Sequence, residues 1–103
     1  MTLAEIKTLL EETHLPVSFS SVPLDQNTAR PYICYFQDED RNFAADGIVY
    51  YSRRYIVVRL YTDYRDETSE GLIEAALAEM YWQKSISFLD DEKLYEIQYT
   101  IEV

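Results

Sequence analysis

Apolar residues recur along this chain with two periods, and the switches between them mark out its elements. Over residues 2–13, Leu3, Ile6, Leu9, Leu10 and Thr13 keep helical spacing, with Lys7, Glu11 and Glu12 outside the stripe. Thr2 and Glu5 stand at the Thr-x-x-Glu spacing of a capping box, and Pro16 ends the helix by forcing Leu15 toward extended geometry. Val17-Ser18-Phe19 alternates as a short strand, residues 22–30 are polar and turn-like, and residues 32–36 form a second strand. A charged loop is expected over 37–47, closing on Asp46-Gly47 as a tight turn. Residues 48–62 then read as the longest strand. Arg54, Ile56, Val58 and Leu60 share one face, core-facing from Ile56 onward; Arg53, Tyr55, Val57, Arg59 and Tyr61 share the other.

Helical spacing returns over 66–81, where Leu72, Ile73, Ala76, Leu77 and Met80 form a stripe. Asp66, Thr68 and Ser69 are alternative caps, Glu67 and Glu70 suit the helix N-terminus, and Gly71 weakens the first turn. Residues 83–89 and 94–103 are strands joined by Asp90-Asp91-Glu92-Lys93. The last one alternates Tyr95, Ile97, Tyr99, Ile101 and Val103 against Leu94, Glu96, Gln98, Thr100 and Glu102, the clearest strand signal in the chain. The order is α-β-β-β-α-β-β. Alternating strands imply a mostly antiparallel sheet of about five strands with two helices packed on one face, an α+β fold in one domain spanning residues 1–103.

Charge narrows the function. Nineteen acidic residues against nine basic ones give a formal net charge of −10, which repels nucleic-acid phosphates and anionic lipid. No apolar run approaches a membrane span and the N-terminus has no signal-peptide pattern, so a soluble cytoplasmic product is expected. One cysteine, Cys34, excludes an internal disulfide, and its apolar surroundings suit a buried thiol better than a nucleophile. His14 stands alone at a helix end, with no partner pattern for a metal or a catalytic triad. Two glycines, Gly47 and Gly71, are too few for a phosphate cradle, and neither Asp38-Glu39-Asp40 nor Asp90-Asp91-Glu92 has the form of a calcium loop. No catalytic, cofactor or metal residues are expected, and the protein reads as one that acts through its surfaces.

Two features are candidate protein interfaces. Arg53, Tyr55, Arg59 and Tyr61 combine the residue types that interfaces enrich. The same set also suits an ordinary sheet face, with stacked tyrosines and cross-strand pairs from arginine to Glu96 or Glu102. The charged loop offers Arg41 and Phe43, with Phe43 either an anchor for a neighbour or folded back onto the sheet edge.

Nearly the whole chain resembles a known group of proteins. The likeness runs through Met1-Thr2-Leu3-Ala4-Glu5-Ile6-Lys7, Leu15-Pro16-Val17, Pro31-Tyr32-Ile33-Cys34-Tyr35, Asn42-Phe43-Ala44-Ala45-Asp46, Arg59-Leu60-Tyr61-Thr62 and Tyr99-Thr100-Ile101-Glu102-Val103. In these segments it is similar to the tail-completion proteins, also called tail-terminator or head–tail joining proteins, of long-tailed phages and prophages of Gram-positive bacteria. The resemblance implies a non-enzymatic virion subunit that forms a ring, commonly a hexamer, on the end of the tail tube. Its partners would be itself, the tail-tube protein and the head connector, first in the host cytoplasm and then at the head–tail interface of the virion. An acidic ring lumen would let DNA pass without sticking. Rival readings are a small acidic inhibitor that mimics DNA, an enzyme with an unrecognised site, and a ligand-binding α+β module with an apolar cavity.

Overall fold

The computed structural model describes residues 2–24, 28–38 and 55–102, and the backbone of 41–45 and 48–53. Helix α1 (Leu3–Glu11) starts as its capping box dictates: the Thr2 hydroxyl accepts from Glu5 N–H at 3.2 Å and the Glu5 carboxylate accepts from Thr2 N–H at 3.2 Å. It ends in a turn that leaves His14 in the left-handed region, φ 63°. Helix α2 (Glu67–Ala76) is capped by Asp66, which accepts from Ser69 N–H at 3.1 Å. It stops before the expected residue 81. A further turn, bonded from Met80 N–H to the Leu77 carbonyl, continues in its place, keeping Leu77 buried and packing Met80 against the core.

The main sheet has the order β1-β2-β5-β7-β6. Its members are β1 (Val17–Phe19), β2 (Tyr32–Gln37), β5 (Tyr55–Thr62), β6 (Trp82–Leu89) and β7 (Leu94–Glu102). Along the chain, the helices and these five strands follow the order α-β-β-β-α-β-β, as expected. The β2–β5, β5–β7 and β6–β7 pairings are antiparallel, while β1 runs parallel to β2, so the sheet is mixed. Ile6 and Leu10 of α1 and Ile73 and Leu77 of α2 pack with Ile33, Ile56, Val58, Leu60, Ile97, Tyr99 and Ile101 in one cluster. Both helices therefore cover the same sheet face.

One expectation is corrected ahead of β5. The stretch expected as a loop holds strand β3 (Arg41–Ala45), and within the strand expected over 48–62 the described residues form β4 (Ile48–Arg53) and β5. Strands β3 and β4 pair antiparallel as a two-stranded sheet of their own, with a register shift between Phe43 and Ala44. Arg41-Asn42-Phe43-Ala44-Ala45 has no alternation; its strand geometry comes from pairing with β4, which a local pattern does not carry. The expected Asp46-Gly47 turn and Arg54 lie outside the described residues. The β2–β5 ladder runs to Gln37↔Ile56, where Asp38 N–H also donates to the Tyr55 carbonyl at 2.9 Å, and β7 ends beside Tyr55. The Cα radius of gyration is 14.9 Å and the extents are 49 × 29 × 19 Å, against about 13 Å for a compact chain of this length.

Candidate interaction surface

The face opposite the helices carries the arginine and tyrosine residues of β5, and the chain closes over half of it. Tyr61 is fully buried, stacked on Tyr32 with ring centroids 5.1 Å apart, and it clusters with Cys34 and Leu94 under Leu24. Its hydroxyl donates to Glu96 at 3.0 Å, and burial together with the Glu96 charge pushes its pKa up. Arg59 donates to the Gln98 side chain and to the Ser21 carbonyl, both at 3.0 Å, and lies 3.7 Å from a Glu96 oxygen and 4.9 Å from the Phe36 ring centroid. Residues 20–24 are thereby strapped across this face. Leu24 N–H donates to the Tyr32 hydroxyl at 3.1 Å and the Val22 carbonyl sits over the Cys34 sulfur at 3.8 Å. Burial pushes the Cys34 thiol up to about 11, so it is an inert core group.

The candidates from sequence are thus split. Arg59 and Tyr61 come together, but as stacked tyrosine and cross-strand Arg–Glu pairing inside the subunit, with Tyr61 offering no outward contact. Tyr55 is half-buried at the start of β5. The side chains of Arg41, Phe43 and Arg53 lie outside the described residues; their backbone belongs to the hairpin, where Arg41 and Arg53 are register partners.

Sequence reasoning placed a strand over 83–89 but passed over its surface; β6 is the outermost strand on one side of the sheet. Ile86 and Phe88, on the helix-side face, are 43% and 46% exposed, with Phe88 edge-on to Tyr95 at 5.0 Å. Tyr81, just before the strand, is also exposed. On the opposite edge β1 exposes Phe19, followed by Val22. The signal available was the apolar content of 86–89 on a last-but-one strand, but strand order cannot be read from it.

An ionic cluster ties α2 to β6. Glu70, almost fully buried, receives Lys84 at 2.7 Å and Arg65 at 3.1 Å. Lys84 also reaches Glu74 at 2.9 Å, and Glu74 accepts from the buried Tyr99 hydroxyl at 2.8 Å. Burial alone would raise the Glu70 pKa, but the bonds from Arg65 and Lys84 outweigh it and hold the carboxyl below its usual range. Lys84 is held above its usual range by the same carboxylates, against burial. Every carboxylate in the cluster has a cation or hydroxyl partner, which describes a structural clamp.

Among the described residues no group of three His, Cys, Asp or Glu side chains could hold a metal ion, and no helix is long and apolar enough to cross a membrane. No protein-family model matches the sequence, and no curated protein matches it. The fold is shared with a solved chain from the virion of a native gene transfer agent particle. The two are 10% identical, with a TM-score of 0.59, over 97% of this chain and 85% of that one.

Proposed function

We propose that this protein is a structural subunit of a phage-like particle: a tail-completion or head–tail joining protein that caps the tail tube as a ring of identical copies and docks to the head connector. The observation that carries this reading is the pair of unlike sheet edges, each left apolar. Ile86 and Phe88 stand exposed on the β6 side, Phe19 and Val22 on the β1 side. Two different patches on one subunit are what head-to-tail contacts need, and such contacts close into rings when the rotation permits. The fold shared with a gene transfer agent virion chain supports a role in the particle. A net charge of −10 suits a ring whose lumen passes DNA without holding it. The work is done by binding, with no reaction.

The test is to add the purified protein to tail-tube protein as it polymerises and view the products by electron microscopy. Tubes should stop growing and carry extra density at one end. Unchanged tube lengths with bare ends would overturn the proposal.

A further inference from the structure

We infer that the β3–β4 hairpin of one copy adds to the free edge of β6 in the next copy, extending the main sheet across the subunit boundary. The inference rests on the ring reading above and sets the hairpin, in place of the β1 patch, against the β6 edge.

Strand β6 has the properties of a pairing template. It pairs with β7 over eight residues without a register shift, and it contains no proline. The Glu102 amide donates to the Tyr81 carbonyl at 3.5 Å. Counting in twos along the register, Gln83, Ser85, Ser87 and Leu89 bond inward to β7, so Trp82, Lys84, Ile86 and Phe88 direct their backbone groups outward. Natural edge strands are blunted by charges, prolines or bulges. Here the only charge is Lys84, and Glu70 and Glu74 hold it at 2.7 and 2.9 Å.

The hairpin has the complementary need. A lone two-stranded hairpin is marginal in water and gains stability from a third strand. Among the described residues β3 and β4 pair only with each other. In its own subunit β7 occupies the inner side of β6, and among the described residues no strand pairs with the outer side. The lengths agree: hairpin strands of five and six residues meet an edge of eight, or about 16–20 Å against about 26 Å. Strand β1, the other open edge, offers three residues.

Charge is compatible with the same pairing. The strands of the hairpin carry Arg41 and Arg53 and no acid, although Asp38-Glu39-Asp40 directly precedes them. Beside β6 lie the turn Asp90-Asp91-Glu92-Lys93 and helix α2, where Glu70 and Glu74 are already held by Arg65 and Lys84 and Glu67 and Glu79 add further negative charge. Arginines on the added strands therefore meet an edge with a surplus of carboxylates. Because the two patches differ, each copy gives a hairpin and receives one.

The test uses two full-length variants, with assembly read by sedimentation velocity and folding by circular dichroism. Ile86→Pro removes an outward amide without touching the β7 ladder, and Phe88→Lys is the alternative edge variant should the proline perturb folding. Arg41→Glu/Arg53→Glu reverses the hairpin charge. Each variant alone should sediment as monomer where the wild type assembles. Mixing an edge variant with the hairpin variant should give discrete one-to-one dimers, because one intact hairpin and one intact edge remain. Assembly of the hairpin variant on its own would overturn the hairpin contact while leaving the ring reading standing. A wild type that stays monomeric at every concentration, with and without tail tubes, would overturn both.

Discussion

Strands β5 and β6 have the same length, lie one strand apart in one sheet, and carry a single cation each, yet they live in different solvents. In β5, flanked by β2 and β7, six of eight residues are buried, drawn from both faces. Most of β6 is exposed. Strand order produces the difference: β5 has the helices on one side and the strap of residues 20–24 on the other, and β6 has one neighbour. The cations follow suit. Arg59 pins the strap to the sheet, whereas Lys84 is drawn away from the edge into the clamp with α2. The central strand is thus spent on stability, and the edge strand is left with one neighbour.

The sharpest way to break this comparison is to truncate one aromatic on each strand. Tyr61→Ala removes a fully buried ring and its stack on Tyr32, and should lower unfolding free energy by about 3–5 kcal/mol. Phe88→Ala, on a half-exposed ring, should cost under about 1 kcal/mol. Urea denaturation of both measures the gap. Equal losses would mean that β6 is part of the core after all.

Next in size is the clamp. Glu70→Gln leaves Lys84 with Glu74 and deprives Arg65 of its ion-pair partner. Because both cations are partly exposed, the expected loss is about 1–3 kcal/mol, below the roughly 3–5 kcal/mol that breaking a fully buried pair costs. The pH dependence has a defined sign. The folded Glu70 pKa is depressed, so its stabilisation is present above the usual glutamate pKa, about 4.3, and fades as pH falls through the lower folded value. Lys84 is raised, so its share is present at neutral pH and is lost as pH climbs through its folded pKa. Denaturation midpoints should therefore drop less steeply below about pH 4.3 in Glu70→Gln than in the wild type. Parallel curves would remove Glu70 from the acid response.

On β5 the matching change is Arg59→Gln, which frees the Ser21 carbonyl and weakens the strap. With Arg59 partly exposed, a loss of about 1–1.5 kcal/mol is expected. Amide exchange should quicken in residues 20–24, while the helix-side core stays protected. Uniform change across the protein would show that the strap is not a separate unit.

These contrasts also mark how far the sequence could be read. The helices, the last strand and the helix-covered face of β5 were legible because alternation and helical spacing are local properties, as with Ile97, Tyr99 and Ile101. Tyr61 was harder. Periodicity separates two faces of a strand but does not say which is wet, and the strap that buries Tyr61 arrives from residues forty positions earlier. The share of the run 48–62 that joins the main sheet was hidden for a related reason: the run is uniformly strand-like, and only partner strands from elsewhere in the chain, β2 and β7, pick out residues 55–62. The parallel β1–β2 pairing and the outer position of β6 are facts of topology, which no window of sequence contains. The edge surface therefore went unread.

The smallest effect lies in the helix that holds β6. Gly71 occupies the first turns of α2, directly after Glu70, and a methyl group added there meets nothing within 4 Å. Gly71→Ala removes conformational freedom from the unfolded chain without a clash, and should raise stability by about 0.5–1 kcal/mol. The gain should be visible in thermal melts and should persist in the Ile86→Pro background, because the clamp at Lys84 and the core packing that join α2 to β6 do not use the outward backbone groups of the edge. If the gain vanished in that background, the edge would be coupled to the core through α2, and the division between a stabilising centre and a free rim would not hold.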